Sequence, residues 1–359
     1  MASLQETVDA LAEASGRPID VEDRGFRLLA HSAHDAPVDA VRRDTILRRA
    51  ASPAVVARLE RLGLARATAP VRLPAAPELG MGPRLVLPVR DAGQLLGYVW
   101  VLDDPPLADA DVARLVAAAL PVCVALAALR DMEDQRRSAE QHGLEQLLGA
   151  GDPVAATRLL SGRGPVTVAV APEGSDLSPL RRRAAPGTML LGTFAGRAVI
   201  VLGDGATPQT TLTLGVGAAR TSLAEAPASH REAVLALLVA QAVPALGPVA
   251  HFADLGAHGL LAPLAFPTDG SPPAALPAAV ETLGAAPDGP ELLATLRAVL
   301  DAGEDTAGAA ARLHVHRSTL HRRLRRIEQL TQTSLADGRT RLELHAGLVL
   351  AELRLPPAG

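Results

Sequence analysis

Residues 306–327 constrain the fold more than any other segment, because two short helical patterns lie only a few residues apart. An alanine-rich stretch comes first, His314 and Val315 suit a tight turn, and a second helical pattern covers about 317–330. The second pattern contains apolar residues at i, i+4 and i+7, the spacing of one buried stripe: Leu320, Leu324 and Ile327. Small residues in the first pattern allow two helix backbones to approach closely. The segment therefore predicts a helix-turn-helix.

The charge of this segment differs from that of the rest of the chain. Residues 306–326 contain six arginines and no acidic residue, a local charge of +6 in a chain of net charge −4, which leaves −10 for the remainder. Such asymmetry indicates an anionic partner. A run of charge is usually a solvated helix face, but here no acidic residue stands at helical spacing within the run. The sequence has no lysine, so phosphate contacts from charged side chains must come from arginine or protonated histidine.

Helical geometry predicts which side chains face a partner. At 100° per residue, Ser318, Arg322 and Arg325 lie opposite the apolar stripe, and Arg317 and His321 lie on one flank of that face. Arginine can read guanine with two hydrogen bonds and can neutralise phosphate, so this face suits the major groove of DNA. The candidate DNA-binding residues are His316, Arg317, Ser318, Thr319, His321, Arg322 and Arg325.

The stretch AAARLHVHRSTLHRRLRRIEQL resembles the C-terminal helix-turn-helix of the PucR/CdaR family of bacterial transcriptional regulators, and is also similar to the Fis-type motif. The flanking LLATLRAVLDAG and RLELHAGLVLAEL extend the PucR-like resemblance over roughly 65 residues. The resemblance implies that Arg317, His321 and Arg322 read bases or face the groove. It implies phosphate or groove contacts for three further residues: Ser318, Thr319 and Arg325. His314 departs from the glycine that a generic helix-turn-helix has in its turn.

The two preceding blocks also resemble parts of such regulators. LGVGAARTSLAEAPASHREAVLAL followed by VAHFADLG resembles the degenerate GGDEF-like domain of this family, and the candidate hairpin at 191–197 has no carboxylate for metal or phosphate chemistry. LVLPVRDAGQLLGYVWVLDD, a predicted hairpin of 84–90 with 95–102, resembles a GAF-type sensor together with a helix predicted at 108–130. That resemblance implies a pocket for a small effector. We expect Tyr98 and Trp100 to be core or sheet-face residues instead of pocket walls.

The predicted fold class is an α+β multidomain chain. It consists of a GAF-like α/β sensor domain at 1–130, a degenerate GGDEF-like α/β domain at 139–266, and an all-α helix-turn-helix domain at 285–355.

Several classes of site and location are not expected. A single cysteine, Cys123, excludes a disulfide scaffold, and three neighbouring histidines lack the cysteines or fourth ligand of a zinc site. Gly215-Val-Gly217 lacks the third glycine of a dinucleotide-binding loop. No catalytic residue, metal or cofactor is therefore expected. The apolar stretches 115–129 and 233–250 are alanine-rich and broken by proline or glycine, and the chain starts without a signal sequence, so we expect a cytoplasmic protein with no membrane span.

The function expected from these patterns is sequence-specific transcriptional regulation. The partners would be double-stranded DNA, a small-molecule effector sensed by the N-terminal domains, and a second copy in a homodimer or larger homo-oligomer. One alternative is a nucleotide-handling enzyme of cyclic-dinucleotide type with a basic helical tail, which residual GTP turnover would favour. Another is an adaptor whose basic helix docks an acidic protein, which would show no salt-dependent retention on DNA.

Overall fold

The computed structural model describes residues 3–33, 38–149, 151, 154–160, 164–185, 187–203, 210–268, 270–303 and 305–354. The chain divides into two compact units, Met1–Arg136 and Arg137–Gly359. Each unit contains a five-stranded sheet with helices, and the C-terminal region is helical, so the α+β class is confirmed. The finer domain boundaries, at 130, 139, 266 and 285, remain predictions.

The first unit is an antiparallel sheet with helices on both faces. Its strands are β1 (Ile19–Asp23), β2 (Leu28–His31), β3 (Val71–Leu73), β4 (Arg84–Asp91) and β5 (Gln94–Leu102). Its helices are α1 (Leu4–Ser15), α2 (Ala40–Arg48), α3 (Pro53–Arg61), α4 (Asp109–Ala118) and the first part of α5 (Leu120–Leu148). The strand order is β2-β1-β5-β4-β3.

The β4–β5 hairpin and the helix after it test two sequence predictions. Strands β4 and β5 pair as the predicted hairpin, and both turn residues, Ala92 and Gly93, have the positive φ of a tight hairpin turn, at 45° and 82°. The single helix predicted at 108–130 is wrong, because the chain breaks at Ala119 into α4 and α5. Pro121, at the second position of α5, has no N–H with which to continue the hydrogen bonds of α4.

One face of the first sheet has an entirely apolar core. Strands β1, β4 and β5 place their alternate residues against α1, α4 and α5, as the period of two in a strand requires. The main members of this core are Val8, Leu11, Ile19, Val21, Leu85, Leu87, Val99, Val101, Leu115, Val122 and Leu126. On the opposite face Phe26 stacks on Tyr98, with ring centroids 5.1 Å apart, and Trp100 lies beside them. Both hairpin aromatics are buried on the sheet face, as predicted.

The second unit contains a mixed sheet followed by a helical region. Its strands are β6 (Val166–Ala171), β7 (Met189–Phe194), β8 (Arg197–Gly203), β9 (Leu214–Val216) and β10 (Val249–His251), in the order β10-β9-β6-β8-β7. Only the β9–β10 pair is parallel among these described strands. After the last part of α5, its helices are α6 (Val154–Leu159), α7 (Ser178–Arg183), α8 (Ala226–Ala242), α9 (Ala257–Ala265), α10 (Ala278–Ala285), α11 (Gly289–Ala302), α12 (Thr306–Arg312), α13 (Arg317–Thr331) and α14 (Gly338–Arg354).

The Gly215-Val-Gly217 segment has a packing role. A Cβ added at Gly215 would lie 2.1 Å from the carbonyl oxygen of Ala233, and one at Gly217 would lie 1.9 Å from that of Ser229. Both partners are on α8, so the two glycines let that helix approach β9 closely. The close approach of this helix to the strand therefore explains why both positions are glycine.

One helical stretch does not match the expectation that the chain has no segment long and apolar enough to span a membrane. Asp109–Leu148, which comprises α4 and α5, is long and apolar enough to cross a membrane by length and composition alone. Alanine accounts for much of that apolar character. Within the first unit Leu115, Val122 and Leu126 of this stretch pack in the sheet core.

Helix α14 contributes to two cores of the second unit. Leu344 and Leu348 pack with α10, α11 and α13. The residues after them pack against α8 and α9: Val349, Leu350 and Leu353. Glu352 Oε2 accepts a 2.9 Å hydrogen bond from Arg297 of α11 and lies 3.4 Å from Nε2 of His258 of α9. The helical region and the sheet region therefore share a helix.

Candidate nucleic-acid interface

Helices α12 and α13 are joined by the predicted tight turn. Asp305 caps the start of α12 by accepting a 2.8 Å hydrogen bond from the backbone N–H of Gly308. After Leu313 the chain reverses at His314, whose φ is 52°. The N–H of His314 donates to the carbonyl oxygen of Ala311 at 3.0 Å, which satisfies one of the last helical carbonyls. Histidine thus occupies a left-handed position that glycine would fill without a steric penalty.

Small residues let α12, α13 and α11 pack closely, as the sequence predicted. Ala309 and Ala310 of α12 are buried against Leu320 of α13 and Ala298 of α11. Further along α13, Ile327 is fully buried in the core that α14 also enters. Leu324 is half-buried and touches both cores. The apolar stripe of α13 therefore fixes which face of this helix is left to solvent.

His316 has a structural role that the helical pattern alone did not indicate. It is the N-cap of α13, and its Nδ1 accepts a 3.3 Å hydrogen bond from the backbone N–H of Ser318. The same Nδ1 lies 2.8 Å from the hydroxyl of Ser318. An imidazole that accepts through Nδ1 carries its proton on Nε2. His316 therefore caps α13, and its ring retains one N–H donor at an exposed site.

The candidate residues lie on one side of the helix-turn-helix. Six of them are exposed: His316, Arg317, Ser318, His321, Arg322 and Arg325. Thr319 is half-buried at the edge of the face. In the described part of the chain, no carboxylate forms an ion pair with Arg317, Arg322, Arg325 or the neighbouring Arg326. These four arginines, which we call the arginine face, therefore carry positive charge without an internal counter-ion.

Two other arginines of the basic segment form hydrogen bonds with α11. Arg323 contacts the carboxylate of Glu291, and its Nη1 lies 3.4 Å from the hydroxyl of Thr295, both on α11. Arg312 donates to the carbonyl oxygen of Ala298 at 2.6 Å. The charge count of the sequence cannot separate these two from the arginine face. For Arg323 the helical period gives a signal, because this residue lies next to the apolar stripe.

The hairpin predicted at 191–197 is formed by β7 and β8. Its turn residues are Ala195 and Gly196, so the turn itself carries no carboxylate. The carboxylate of Glu173 is the side chain that a Cβ at Gly196 would meet, at 3.9 Å. No group of three or more histidine, cysteine, aspartate or glutamate side chains is arranged to hold a metal ion among the described residues.

The comparisons with known proteins agree with this geometry. Residues 292–350 match the PucR C-terminal helix-turn-helix domain. The chain is 30% identical over 144 residues to the DNA-binding transcriptional activator AdeR of Bacillus subtilis (strain 168). That similarity covers 38% of this chain and 34% of the relative, so about a third of the relative's length is matched.

A solved structure, that of the regulator of polyketide synthase expression from Bifidobacterium adolescentis, is also similar. Its sequence identity is 21% and its TM-score is 0.28, with 60% of this chain and 93% of that chain covered. The matched family segment contains α12, α13 and the turn between them.

Proposed function

We propose that the protein is a sequence-specific, DNA-binding transcriptional regulator. The observation that carries the proposal is the arginine face, which presents four exposed arginines on the second helix of a PucR-type helix-turn-helix, none of them ion-paired within the described residues. The alternative of an acidic protein partner has no comparable support. A helix-turn-helix places its second helix in the major groove, where such a face meets both base edges and phosphates.

In the proposed complex the N-terminal turns of α13 enter the major groove. Arg317, His321 and Arg322 contact base edges, because they lie on the exposed side of the first turns. The other proposed contacts are to phosphate or the groove wall: His316, Ser318, Thr319 and Arg325. The N–H of His316 Nε2 suits a phosphate oxygen, since Nδ1 is used by the cap.

We propose a homodimer that contacts DNA through two copies of this helix. A single recognition helix covers only a few base pairs, and helix-turn-helix proteins gain affinity by pairing half-sites about one helical turn apart. Along α4 and α5, Val116, Leu120 and Val124 are 45%, 66% and 52% exposed at helical spacing. They form an apolar stripe suited to a second copy.

The remaining parts of the proposal concern the two sheet regions. We propose that the first is a GAF-like sensor for a small effector and the second a degenerate GGDEF-like domain without cyclase activity. The carboxylate-free turn at Ala195 and Gly196 supports the non-enzymatic part. A regulator of this kind would act in the cytoplasm, where its DNA lies.

The proposal is tested by mapping the sites that the full chain binds across its host genome, and then by measuring affinity for a selected site over a range of salt. We expect saturable binding that weakens steeply with salt, and sites arranged as two half-sites. Binding that is absent, or equal for selected and scrambled DNA, would refute sequence-specific recognition.

The dimer is tested separately by sedimentation of Leu120→Asp against Glu60→Gln, an exposed control on α3. We expect the parent and the control to sediment as dimers and Leu120→Asp as a monomer. A parent that is monomeric with and without DNA would refute the dimer.

A further inference from the structure

The second face of the first sheet buries charged residues. Asp20 and Glu22 alternate on one side of β1 and are only 5% and 6% exposed. They pair in register with Trp100 and Tyr98 of β5, so all four side chains share one face. Arg84 of β4, 4% exposed, lies on the same face. Charged residues in such a place require an explanation beyond packing, because burying an ionised group is costly.

Two ion pairs balance most of this charge. Arg42, on α2, donates from Nε to both carboxylate oxygens of Asp20 at 3.0 Å and from Nη2 to the carbonyl oxygen of Ser32. Arg84 donates from Nη2 to both carboxylate oxygens of Asp39 at 2.7 Å. Each arginine is therefore matched by one aspartate. Glu22 is the carboxyl group of this cluster that no cation pairs with in the described residues.

Three buried polar atoms on this face have no hydrogen-bond partner within the described structure. They are Oε2 of Glu22, Nε1 of Trp100 and the hydroxyl of Tyr98. Burial raises the pKa of Glu22 to about 8, with the charges of Asp20 and Asp23 adding to the rise and Arg84 opposing it. The indole of Trp100 also opposes it, without forming a hydrogen bond of normal geometry. A buried polar group without a partner in the protein calls for a bound ligand, ion or water.

A small cavity opens beside Glu22 and Trp100. Its volume is about 20 Å³, and its walls include Asp20, Glu22, Arg42, Arg84 and Trp100. Such a volume accommodates a headgroup of one or two non-hydrogen atoms. Trp100 is therefore a wall of this cavity as well as a sheet-face residue, which corrects the expectation that it would not line a pocket. Helix α2 covers the cavity and contributes Val41, Arg42 and Thr45 to its walls.

We propose that this cavity binds the ammonium group of a small primary amine. The carboxylate of Glu22 pairs with the ammonium group, and the ring of Trp100 forms a wall beside it. A cation fits and an anion does not, because both arginines of the cluster already have carboxylate partners. Amine binding at this site names a ligand class for the proposed effector sensor. It rests on the proposed function only for the link between amine binding and DNA binding.

The single tryptophan of the chain gives a direct readout, because Trp100 is itself a wall of the site. We suggest titrating the full chain, without DNA, with chlorides of methylammonium, ethylammonium and 2-hydroxyethylammonium while Trp100 fluorescence is followed. Methanol, formate and sodium chloride at equal ionic strength are the controls. We expect a saturable change for the amines, reached at the lowest concentration with methylammonium because it is the smallest of the three and the cavity is about 20 Å³, and none for the controls. No saturable change with any amine, or an equal change with methanol, would overturn the proposal and indicate that water alone fills the cavity.

A variant and a pH series separate the site from general salt effects. Glu22→Gln keeps the size of the side chain and should weaken amine binding roughly 10- to 100-fold, whereas Glu60→Gln on the exposed face of α3 should leave it unchanged. Thermal unfolding establishes that both variants fold.

If Glu22→Gln does not fold, the parent alone still decides the question. Amine affinity should fall about tenfold for each pH unit below the pKa of Glu22, because the cation requires the ionised carboxylate. An affinity that is independent of pH between 6 and about 8 would overturn the proposal. DNA affinity is measured separately, so loss of amine binding with DNA binding intact refutes this site and leaves the proposed regulator standing.

Discussion

Arg322 and Arg323 are neighbours in sequence, yet the structure predicts opposite consequences for their replacement by alanine. Arg322 is exposed on the arginine face, whereas Arg323 contacts Glu291 and approaches Thr295 on α11. Both changes remove one positive charge from the same turn of α13. Any difference between the two variants therefore reports the direction of the side chain and not the net charge.

The expected magnitudes follow from those contacts. If Arg322 reads a guanine, its loss should cost about 1–3 kcal/mol of binding free energy, or roughly 5- to 140-fold in affinity. The stability of the Arg322→Ala variant should equal that of the parent, because Arg322 has no ion-pair partner in the described structure. The Arg323–Glu291 pair is part-exposed, with 21% and 65% of the two side chains accessible. Its loss should therefore cost only up to about 1 kcal/mol of stability, with DNA affinity within roughly threefold of the parent at physiological salt.

The assay is fluorescence anisotropy on one selected DNA site, repeated over a range of salt, with urea unfolding of each variant. Arg322→Lys is a useful third variant, because it keeps the charge and loses the two-pronged donor. We expect it to bind better than Arg322→Ala at low salt but to remain less specific than the parent. Equal losses of affinity for Arg322→Ala and Arg323→Ala would show that only net charge matters and would refute the orientation of α13 that we infer.

Other predictions address stability. Leu320→Ala should destabilise the helical region by about 2–5 kcal/mol, measured by circular dichroism in urea, because Leu320 is fully buried. His314→Gly should raise stability by about 0.5–1 kcal/mol in the same assay, since it relieves a left-handed φ. Burial lowers the pKa of His230 from 6.5 to about 4, so its stabilising contribution is present above pH 6.5 and is lost as the pH falls toward 4. The midpoint of urea unfolding should fall over that range and His230→Gln should flatten the profile. Glu22 should have the opposite effect on stability, because its pKa is raised. Its contribution to the free energy of unfolding is present below pH 4.5 and is lost as the pH rises toward about 8, which Trp100 fluorescence during unfolding can follow.

Local patterns were enough to predict the helix-turn-helix. The spacing of the apolar residues on α13 located the buried stripe, and the turn at His314 followed from the short interval between two helical patterns. Exposure of the arginine face agrees with the same period. The inward direction of Arg323 was harder to predict, because its partner Glu291 is 32 residues away in sequence. That these residues contact DNA stays a prediction.

The first sheet shows why other features escaped the sequence. The alternation in Ile-Asp-Val-Glu-Asp of β1 indicates a strand with one wet face, but α2 covers that face and buries Asp20 and Glu22. The period of two along a strand identifies the residues that share a face, but it does not predict which element packs against that face. The break at Ala119 was missed for a related reason, since a proline near a helix start and one inside a helix look alike in sequence.

The double use of α14 limits how this helix-turn-helix region could be exchanged in evolution or in the laboratory. A helix-turn-helix is often regarded as a portable module, yet here Val349, Leu350 and Leu353 complete a core that belongs to α8 and α9. A fragment of residues 285–354 would expose those three apolar side chains along its last helix, and such an exposed patch favours association. Recombination that exchanged only this helical region would separate the same three side chains from α8 and α9. We therefore expect the second compact unit to be exchanged as a whole, and the proposed DNA specificity to change by substitutions on α13.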